Sequence, residues 1–144
     1  MSAHVAHAQS PLASSASAGT SSTTFDRVLE RAGRITFALP FAVFGLFHFS
    51  GAQAMAGMVP IPGGVFWVYF TGVALIAGAV GLLSGILGRW AALGLALLMA
   101  LFAFTVHLPN LGNPQLGQIA MISLLKDLAL MGGALTWAAR LGRN

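Results

Sequence analysis

VFWVYFTGVALIAGAVGLLSGILGRWAALGLALLMALFAFTVHL, residues 65–108, contains the pattern from which the architecture follows. It holds two apolar runs, residues 65–87 and 90–108, separated only by Gly88 and Arg89. Each run is close to the roughly 20 residues with which an α-helix crosses the hydrocarbon core of a bilayer. Because so short a connection joins antiparallel neighbours, this stretch predicts a tight hairpin of two membrane-spanning helices.

Two further apolar runs flank this hairpin, at residues 35–51 and 119–139. The first contains Pro40, which a membrane helix tolerates when a neighbouring group satisfies the freed carbonyl. The segments that join these runs to the hairpin contain prolines and glycines but no charged residue. We therefore predict an all-α protein, an integral membrane four-helix bundle with four spans.

The composition excludes a water-soluble domain. The 144 residues are 57% apolar and 7% charged, with a mean hydropathy of +0.84, whereas an ordinary soluble domain has roughly 25% charged residues. The chain has no cysteine, which excludes disulfide frameworks and cysteine-ligated clusters. The net charge is +4, but no basic run could follow a phosphate backbone. The lipid bilayer is the predicted partner, and nucleic acid is not.

The first 24 residues are rich in Ser, Ala and Thr and contain no Asp, Glu, Lys or Arg. Such a segment cannot bury enough apolar surface to offset the entropy lost on ordering. We predict a disordered cytoplasmic tail at residues 1–24, followed by a single four-helix domain at residues 25–144.

The first helix is expected to begin near Phe25, upstream of its apolar run. Thr24 is the expected N-cap, and Asp26 lies in the first turn, where a negative charge is favoured. Glu30 and Arg34 are four residues apart, which predicts an ion pair along one face of the helix.

The arginines predict the orientation of the bundle. They lie before the first span, between the second and third, and after the fourth, while the other two loops contain neither Lys nor Arg. With four spans, all of them fall on one side, which the positive-inside rule assigns to the cytoplasm. Both termini are therefore predicted to be cytoplasmic. The arginines are Arg27, Arg31, Arg34, Arg89, Arg140 and Arg143.

Small residues recur at every fourth position in three of the spans. Such stripes allow helices to approach closely where lipid gives no hydrophobic drive. They are compatible with packing inside the bundle, with a homo-oligomer, or with contact to a partner subunit. The stripes are Ala77, Gly81 and Gly85 in the second span, Ala92, Ala96 and Ala100 in the third, and Ala129 and Gly133 in the fourth.

Every span contributes a polar or titratable side chain at a similar predicted depth. Counted from the arginine-bearing ends at ~1.5 Å per residue, these side chains lie about 20 to 30 Å up the helices. They form a polar layer in the outer half of the bilayer, and groups of this kind inside a membrane are candidates for function. The residues are His48, Tyr69, His107, Lys126 and Asp127.

Three interpretations of the polar layer stay open. The side chains can satisfy one another as a structural network; Lys126 and Asp127 point about 100° apart and need not pair directly. Alternatively, they line a pocket that binds a quinone headgroup or a small anion, in which an aspartate–histidine pair moves a proton. In the third interpretation, His48 and His107 are axial ligands of haem b. A zinc site lacks ligands unless Asp127 joins the two histidines.

Four segments resemble the DoxX family of small bacterial four-helix membrane proteins. They read GLFHFSGAQAMAGMVP, PGGVFWVYFTGVALIAGAVGLL, GRWAALGLALLMALFAFTVHLP and LLKDLALMGGAL, and the likeness extends over residues 35–139. The most specific parts are FHF around His48, FWVYFTG, VHLP, and LKD with Lys126 and Asp127. Many members carry a glutamate where this chain reads TGVALIAG, so no role of that carboxylate is carried over.

The resemblance implies a bacterial inner-membrane protein linked to membrane oxidoreductase systems. These include the DoxD-type subunit of a thiosulfate:quinone oxidoreductase and redox-stress complexes. The expected function is therefore an accessory subunit rather than an enzyme by itself. In it, His48, His107, Lys126 and Asp127 hold a quinone headgroup or relay its proton, and Tyr69 is a further donor.

Two alternatives come from other classes of protein. The first is a structural scaffold that recruits a partner subunit through its small-residue faces and has no ligand of its own. The second is a carrier of small solutes or ions, which the absence of an inverted repeat disfavours.

Overall fold

The structure is a computed structural model that describes residues 23–57, 59 and 62–143. Most of the predicted disordered tail, residues 1–22, lies outside the described residues. The described chain forms five α-helices, and no strand is present in it. The helices are α1 (Thr24–Ser50), α2 (Ala52–Ala56), α3 (Gly64–Ser84), α4 (Gly88–Phe102) and α5 (Gly117–Leu141).

Four helical segments are long and apolar enough to cross a bilayer. They are α1, α3, α5 and the segment Gly88–Asn110, in which a π-helical turn and a short 3₁₀ turn extend α4. The prediction of an all-α membrane helical bundle is therefore confirmed. Each helix reaches beyond its predicted apolar run at one or both ends.

Helix α1 begins one residue before the expected position. Thr23, and not Thr24, is the N-cap: its hydroxyl accepts a hydrogen bond from the Asp26 backbone N–H at 3.2 Å, and its own N–H donates to Asp26 Oδ2 at 2.9 Å. This reciprocal capping box requires an acidic side chain three residues after the cap, which only Thr23 has. The predicted ion pair between Glu30 and Arg34 is confirmed at 3.2 Å.

The hairpin between α3 and α4 turns earlier than predicted. Helix α3 ends at Ser84, and Gly85 and Leu87 have φ values of +75° and +55°. Glycine adopts such left-handed conformations without a steric penalty. Gly88 and Arg89, the predicted connection, already belong to α4. Gly85 is therefore a turn residue, and its assignment to a helical stripe was wrong.

Close helix packing centres on α3, which lies between α1 and α4, while α4 packs against α5. Gly45 and Gly72 bring the backbones of α1 and α3 together: a Cβ atom on Gly45 would lie 3.0 Å from the Gly72 carbonyl oxygen. Ala92 and Ala96 are buried, and Gly81 faces Ala91 of α4. These three small residues of the predicted stripes thus serve packing inside the bundle.

Helices α1 and α5 meet mainly through long side chains, and their backbones do not approach as those of α1 and α3 do. We refer to this interface as the α1/α5 seam. Its contacts follow a regular antiparallel register: the first three pairs are one helical turn apart, and the fourth lies two turns further on. The pairs are Glu30 with Arg140, Arg34 with Trp137, Phe37 with Gly133, and Phe44 with Lys126.

Candidate functional site

Asp127, near the middle of α5, is the only buried charged side chain among the residues that the structure describes. Its exposed fraction is 1%. A carboxylate in a bilayer-spanning bundle is costly unless it is paired and hydrogen-bonded. The side chains around Asp127 therefore define the candidate site.

His107 supplies a hydrogen bond to this carboxylate. The distance from His107 Nδ1 to Asp127 Oδ2 is 2.6 Å. A carboxylate only accepts hydrogen bonds, so His107 Nδ1 is the donor, and Nε2 forms no hydrogen bond within the described residues. The imidazole is half-buried, with 21% of the side chain exposed, so that it joins the buried carboxylate to a less enclosed region.

A π-helical turn, Ala103–His107, presents His107 to α5. The backbone N–H of Leu108 donates to the carbonyl of Ala103, five residues earlier. The wider turn changes the direction in which the following side chains point, and such turns recur at functional sites. Thr105 donates its hydroxyl to the Leu101 carbonyl at 2.6 Å, and Pro109 then ends the regular hydrogen bonding. The sequence predicts a regular helix here, and Pro109 is the only signal of the irregularity.

Lys126 lies on the other side of the carboxylate. Its Nζ atom is 3.4 Å from Asp127 Oδ1 and 4.5 Å from the centre of the Phe44 ring on α1. The two neighbouring residues of α5 thus do form an ion pair, because the long lysine stem reaches back towards the carboxylate. Oδ1 is nevertheless buried and accepts no hydrogen bond from the described residues.

His48 is held separately, at the end of the seam that lies away from the arginines. Its Nδ1 donates to the Phe44 carbonyl at 2.7 Å, and its ring stacks on Phe102 with centroids 6.0 Å apart. In the described part of the chain, no hydrogen bond joins His48 to Asp127 or His107. Phe44 connects the two groups, since its carbonyl binds His48 and its ring lies beneath the Lys126 ammonium.

Tyr69 lies away from the cluster. It is 40% exposed on α3, and its ring contacts Phe49 at a centroid distance of 5.7 Å. Within residues 62–143, no hydrogen bond or ring contact joins Tyr69 to His107, Lys126 or Asp127. The structure thus joins three of the five predicted residues directly, places His48 beside them, and leaves Tyr69 on an outer face. We refer to His107, Lys126 and Asp127 as the polar cluster.

Two residues of this region were missed by sequence reasoning. Phe44 and Phe102 are apolar, and nothing in a single sequence separates them from ordinary bundle-packing residues. The spacing of Phe44 and His48, four residues apart on one helix face, is the only signal that the two act together.

The described residues include no group of three or more His, Cys, Asp or Glu side chains that could hold a metal ion. For haem b, the two imidazoles would have to face a macrocycle between them. Phe102, from the same span as His107, instead packs its ring on His48, where the macrocycle would need space. The side chains present therefore do not fit the haem interpretation.

An apolar groove of about 480 Å³ runs along α3 and α4. Its lining includes Phe70, Gly78, Gly94 and Leu101, and every residue that lines it is apolar. None of the polar cluster contributes to it. This groove is therefore a feature of the lipid-facing surface and not the predicted polar pocket.

The DoxX family model matches residues 31–108, which are 78 of the 144 residues. The match includes His48 and His107, whereas Lys126 and Asp127 lie beyond its end. No curated protein and no solved structure shows significant similarity to the chain. Together with the four apolar helices, the match identifies a multi-pass membrane protein. The chain belongs to the DoxX family.

Proposed function

We propose that this protein is an accessory subunit of a membrane redox system and that its polar cluster binds the headgroup of a quinone. The observation that carries the proposal is the buried carboxylate of Asp127, which lies between His107 and Lys126. In this proposal the protein resides in a bacterial inner membrane, its termini are cytoplasmic, and the polar cluster is in the outer half of the bilayer.

The energetics favour a ligand over a purely structural network. A single aspartate at the centre of a membrane helix costs about 2.5–3.5 kcal/mol on insertion scales. Replacing a buried ion pair by apolar residues of similar volume is often neutral or stabilising. A bundle that needed only packing would therefore gain nothing from Asp127, His107 and Lys126.

The donors and acceptors of the polar cluster match those of a quinone and its quinol. Lys126 donates to a carbonyl oxygen, while Asp127 Oδ1 and His107 Nε2 are left to accept from a hydroxyl. A bound quinone would supply the electron-accepting chemistry, which none of the side chains can provide. The hydrogen bond between His107 and Asp127 gives the site a place to hold or transfer a proton.

The orientation is supported by where the charges lie. Six arginines and the two acids Asp26 and Glu30 are at one end of the bundle, which leaves a charge of +4 there. Lys126 and Asp127 balance each other in the other half. An excess of arginine on one side favours the cytoplasm for that side.

Extraction of the gently purified protein with organic solvent tests the proposal. We expect near-stoichiometric quinone from the wild type and at least about tenfold less from Asp127→Asn, since a hydrogen bond to a charged group contributes about 1.5–3 kcal/mol. Thr136→Val is the matched control, because Thr136 lies on the same helix and its hydroxyl bonds only to the Gly132 carbonyl. An extract without quinone from well-folded wild-type protein would overturn the proposal.

The second candidate is a scaffold that binds another membrane subunit in the groove between α3 and α4. Gly94 lines this groove, and a Cβ atom there would meet no atom within 4 Å. Gly94→Leu would therefore fill the groove without disturbing the bundle, whereas a side chain on Gly81 would press on Ala91. If the protein is a scaffold, Gly94→Leu should no longer bind the partner subunit, whereas Asp127→Asn should still bind it. If the protein binds a quinone, Gly94→Leu should retain the quinone.

A further inference from the structure

On the basis of the function proposed above, we infer that the quinone reaches the polar cluster sideways from the lipid, through the outer part of the α1/α5 seam. Lys126 is then its first polar contact. The ligand class is accordingly a membrane-dissolved amphiphile with an oxygen-bearing headgroup and an apolar tail, and not a small water-soluble anion.

The seam is closed towards the arginine-bearing end. There, Glu30 and Arg140 form an ion pair at 2.7 Å, and Arg34 lies over the Trp137 ring at 5.6 Å. One step further along, the Phe37 ring fills the space above Gly133. These contacts leave the outer part of the seam, beside Phe44, as the place where a ligand can separate the two helices.

At the level of Phe44, the exposed fraction of the side chain falls sharply between two consecutive residues of α5. The Lys126 side chain is 41% exposed, whereas that of Asp127 is 1% exposed. Lys126 therefore lies at the boundary between the surface of the bundle and the buried carboxylate. Any group that comes from the seam towards Asp127 Oδ1 meets the Lys126 ammonium on its way.

This boundary lies at the depth of the lipid tails. Lys126 is nine residues from the start of α5, or about 13 Å, and Phe44 is six residues from the end of α1, or about 9 Å. A lysine this deep usually extends its ammonium towards the interface. Here the ammonium is instead held over Phe44 and beside Asp127, so it is directed into the seam.

The groups around this opening suit a headgroup that arrives with its tail still in lipid. Lys126 donates to a carbonyl oxygen, and Asp127 Oδ1 lies 3.4 Å behind its Nζ atom. His48, one turn further out on α1, has its Nδ1 engaged by Phe44 and thus offers Nε2 as a second acceptor.

Thiol labelling tests the route, because the chain has no cysteine of its own. Phe44→Cys places a single thiol in the opening, and Val43→Cys, the matched control, places one on the neighbouring lipid-facing surface, where Val43 is 36% exposed. Each variant is reconstituted into phosphatidylethanolamine and phosphatidylglycerol vesicles and labelled with a lipid-soluble or a membrane-impermeant maleimide, with and without a short-chain ubiquinone.

We expect only the lipid-soluble maleimide to label either thiol. Ubiquinone at about ten times its dissociation constant should slow labelling of Phe44→Cys about tenfold, because only the ligand-free fraction reacts, and should leave Val43→Cys unchanged. Labelling of Phe44→Cys by the impermeant reagent, or no protection in vesicles whose protein retains extractable quinone, would overturn the route alone. Absence of extractable quinone from both variants and the wild type would overturn the proposed function, and the route with it.

Discussion

The contributions of Asp127 and His107 to stability depend on each other, and substitutions of one or both residues can measure this dependence. Asp127 accepts from His107 at 2.6 Å while 99% of its side chain is enclosed. Removing His107 leaves the buried carboxylate without its hydrogen-bond donor, so the cost of burying its charge is less well offset. Removing both residues also removes the buried carboxylate and that cost. The loss of His107 alone is therefore expected to cost more stability than the loss of both residues.

We expect His107→Leu to lower the free energy of unfolding by about 1–3 kcal/mol. The double variant His107→Leu/Asp127→Leu should be at least as stable as His107→Leu, since the buried carboxylate is gone and the partly exposed Lys126 side chain can extend its ammonium towards the interface. Equilibrium unfolding in mixed detergent micelles measures both, and a double-mutant cycle gives the coupling energy. Equal stability of His107→Leu and wild type would show that the hydrogen bond contributes nothing.

Lys126 is the only lysine in the chain. Its ammonium contacts both the Asp127 carboxylate and the Phe44 ring. Lys126→Arg keeps a cation for Asp127 and for the Phe44 ring, while Lys126→Met keeps only the length of the stem. We expect Lys126→Met to retain at least about tenfold less quinone, as expected for loss of a charged hydrogen bond, and Lys126→Arg to retain more than Lys126→Met. Equal retention by the two variants would contradict a role for the positive charge.

The π-helical turn is the element that aims His107, and its extra residue can be removed. Phe104 lies within the turn and is 60% exposed, so its side chain contributes little to packing. A π-helical turn holds one residue more than an α-helical turn at nearly the same total rotation. Deleting Phe104 therefore converts the turn to regular α-helix and leaves His107 facing α5, whereas inserting an alanine after Phe104 rotates His107 by about 100°.

We expect an alanine inserted after Phe104 to break the hydrogen bond between His107 and Asp127, seen as a shifted ¹⁵N resonance of the His107 ring, and the Phe104 deletion to keep it. Phe104→Ala is the control, which removes the side chain but keeps the residue count, and it should leave that resonance in place. An unchanged resonance after the insertion would show that the turn does not position His107.

Substitution by alanine is expected to have opposite effects on stability at two of the glycines. Gly85 ends α3 with φ +75°, which costs an L-residue roughly 1–2 kcal/mol. Gly132 lies inside α5, and a Cβ atom on it would meet nothing within 4 Å. We expect Gly85→Ala to destabilise the protein by about 1–2 kcal/mol and Gly132→Ala to stabilise it by about 0.5–1 kcal/mol. Detergent unfolding midpoints check the opposite signs.

The four spans were predictable because hydropathy accumulates along the chain. The direction in which a side chain points was not predictable. It depends on how each helix is rotated, which packing decides: Tyr69 faces outward, while Lys126 and His107 converge on Asp127. The hairpin likewise turns at Gly85 rather than at Gly88, since closure of α3 on α4 selects which glycine becomes left-handed.

The orientation of the whole bundle is open to test with single cysteines. Gly112, in the loop before α5, is exposed, and Arg143, after α5, is exposed as well. We expect Gly112→Cys to react with an impermeant maleimide on intact cells and Arg143→Cys to react only after the cells are opened, as the positive-inside rule requires. The reverse pattern would place the arginine-rich end outside.

The ion pair between Glu30 and Arg140 ties the beginning of the first span to the end of the last one. The two ends of the folded domain are therefore neighbours at the same membrane surface, and the four spans form a closed ring in which no helix is intrinsically first or last. A circular permutant that fuses these ends by a short linker and opens the chain at Gly112 should keep every inter-helix contact, although its spans would be inserted in a different order.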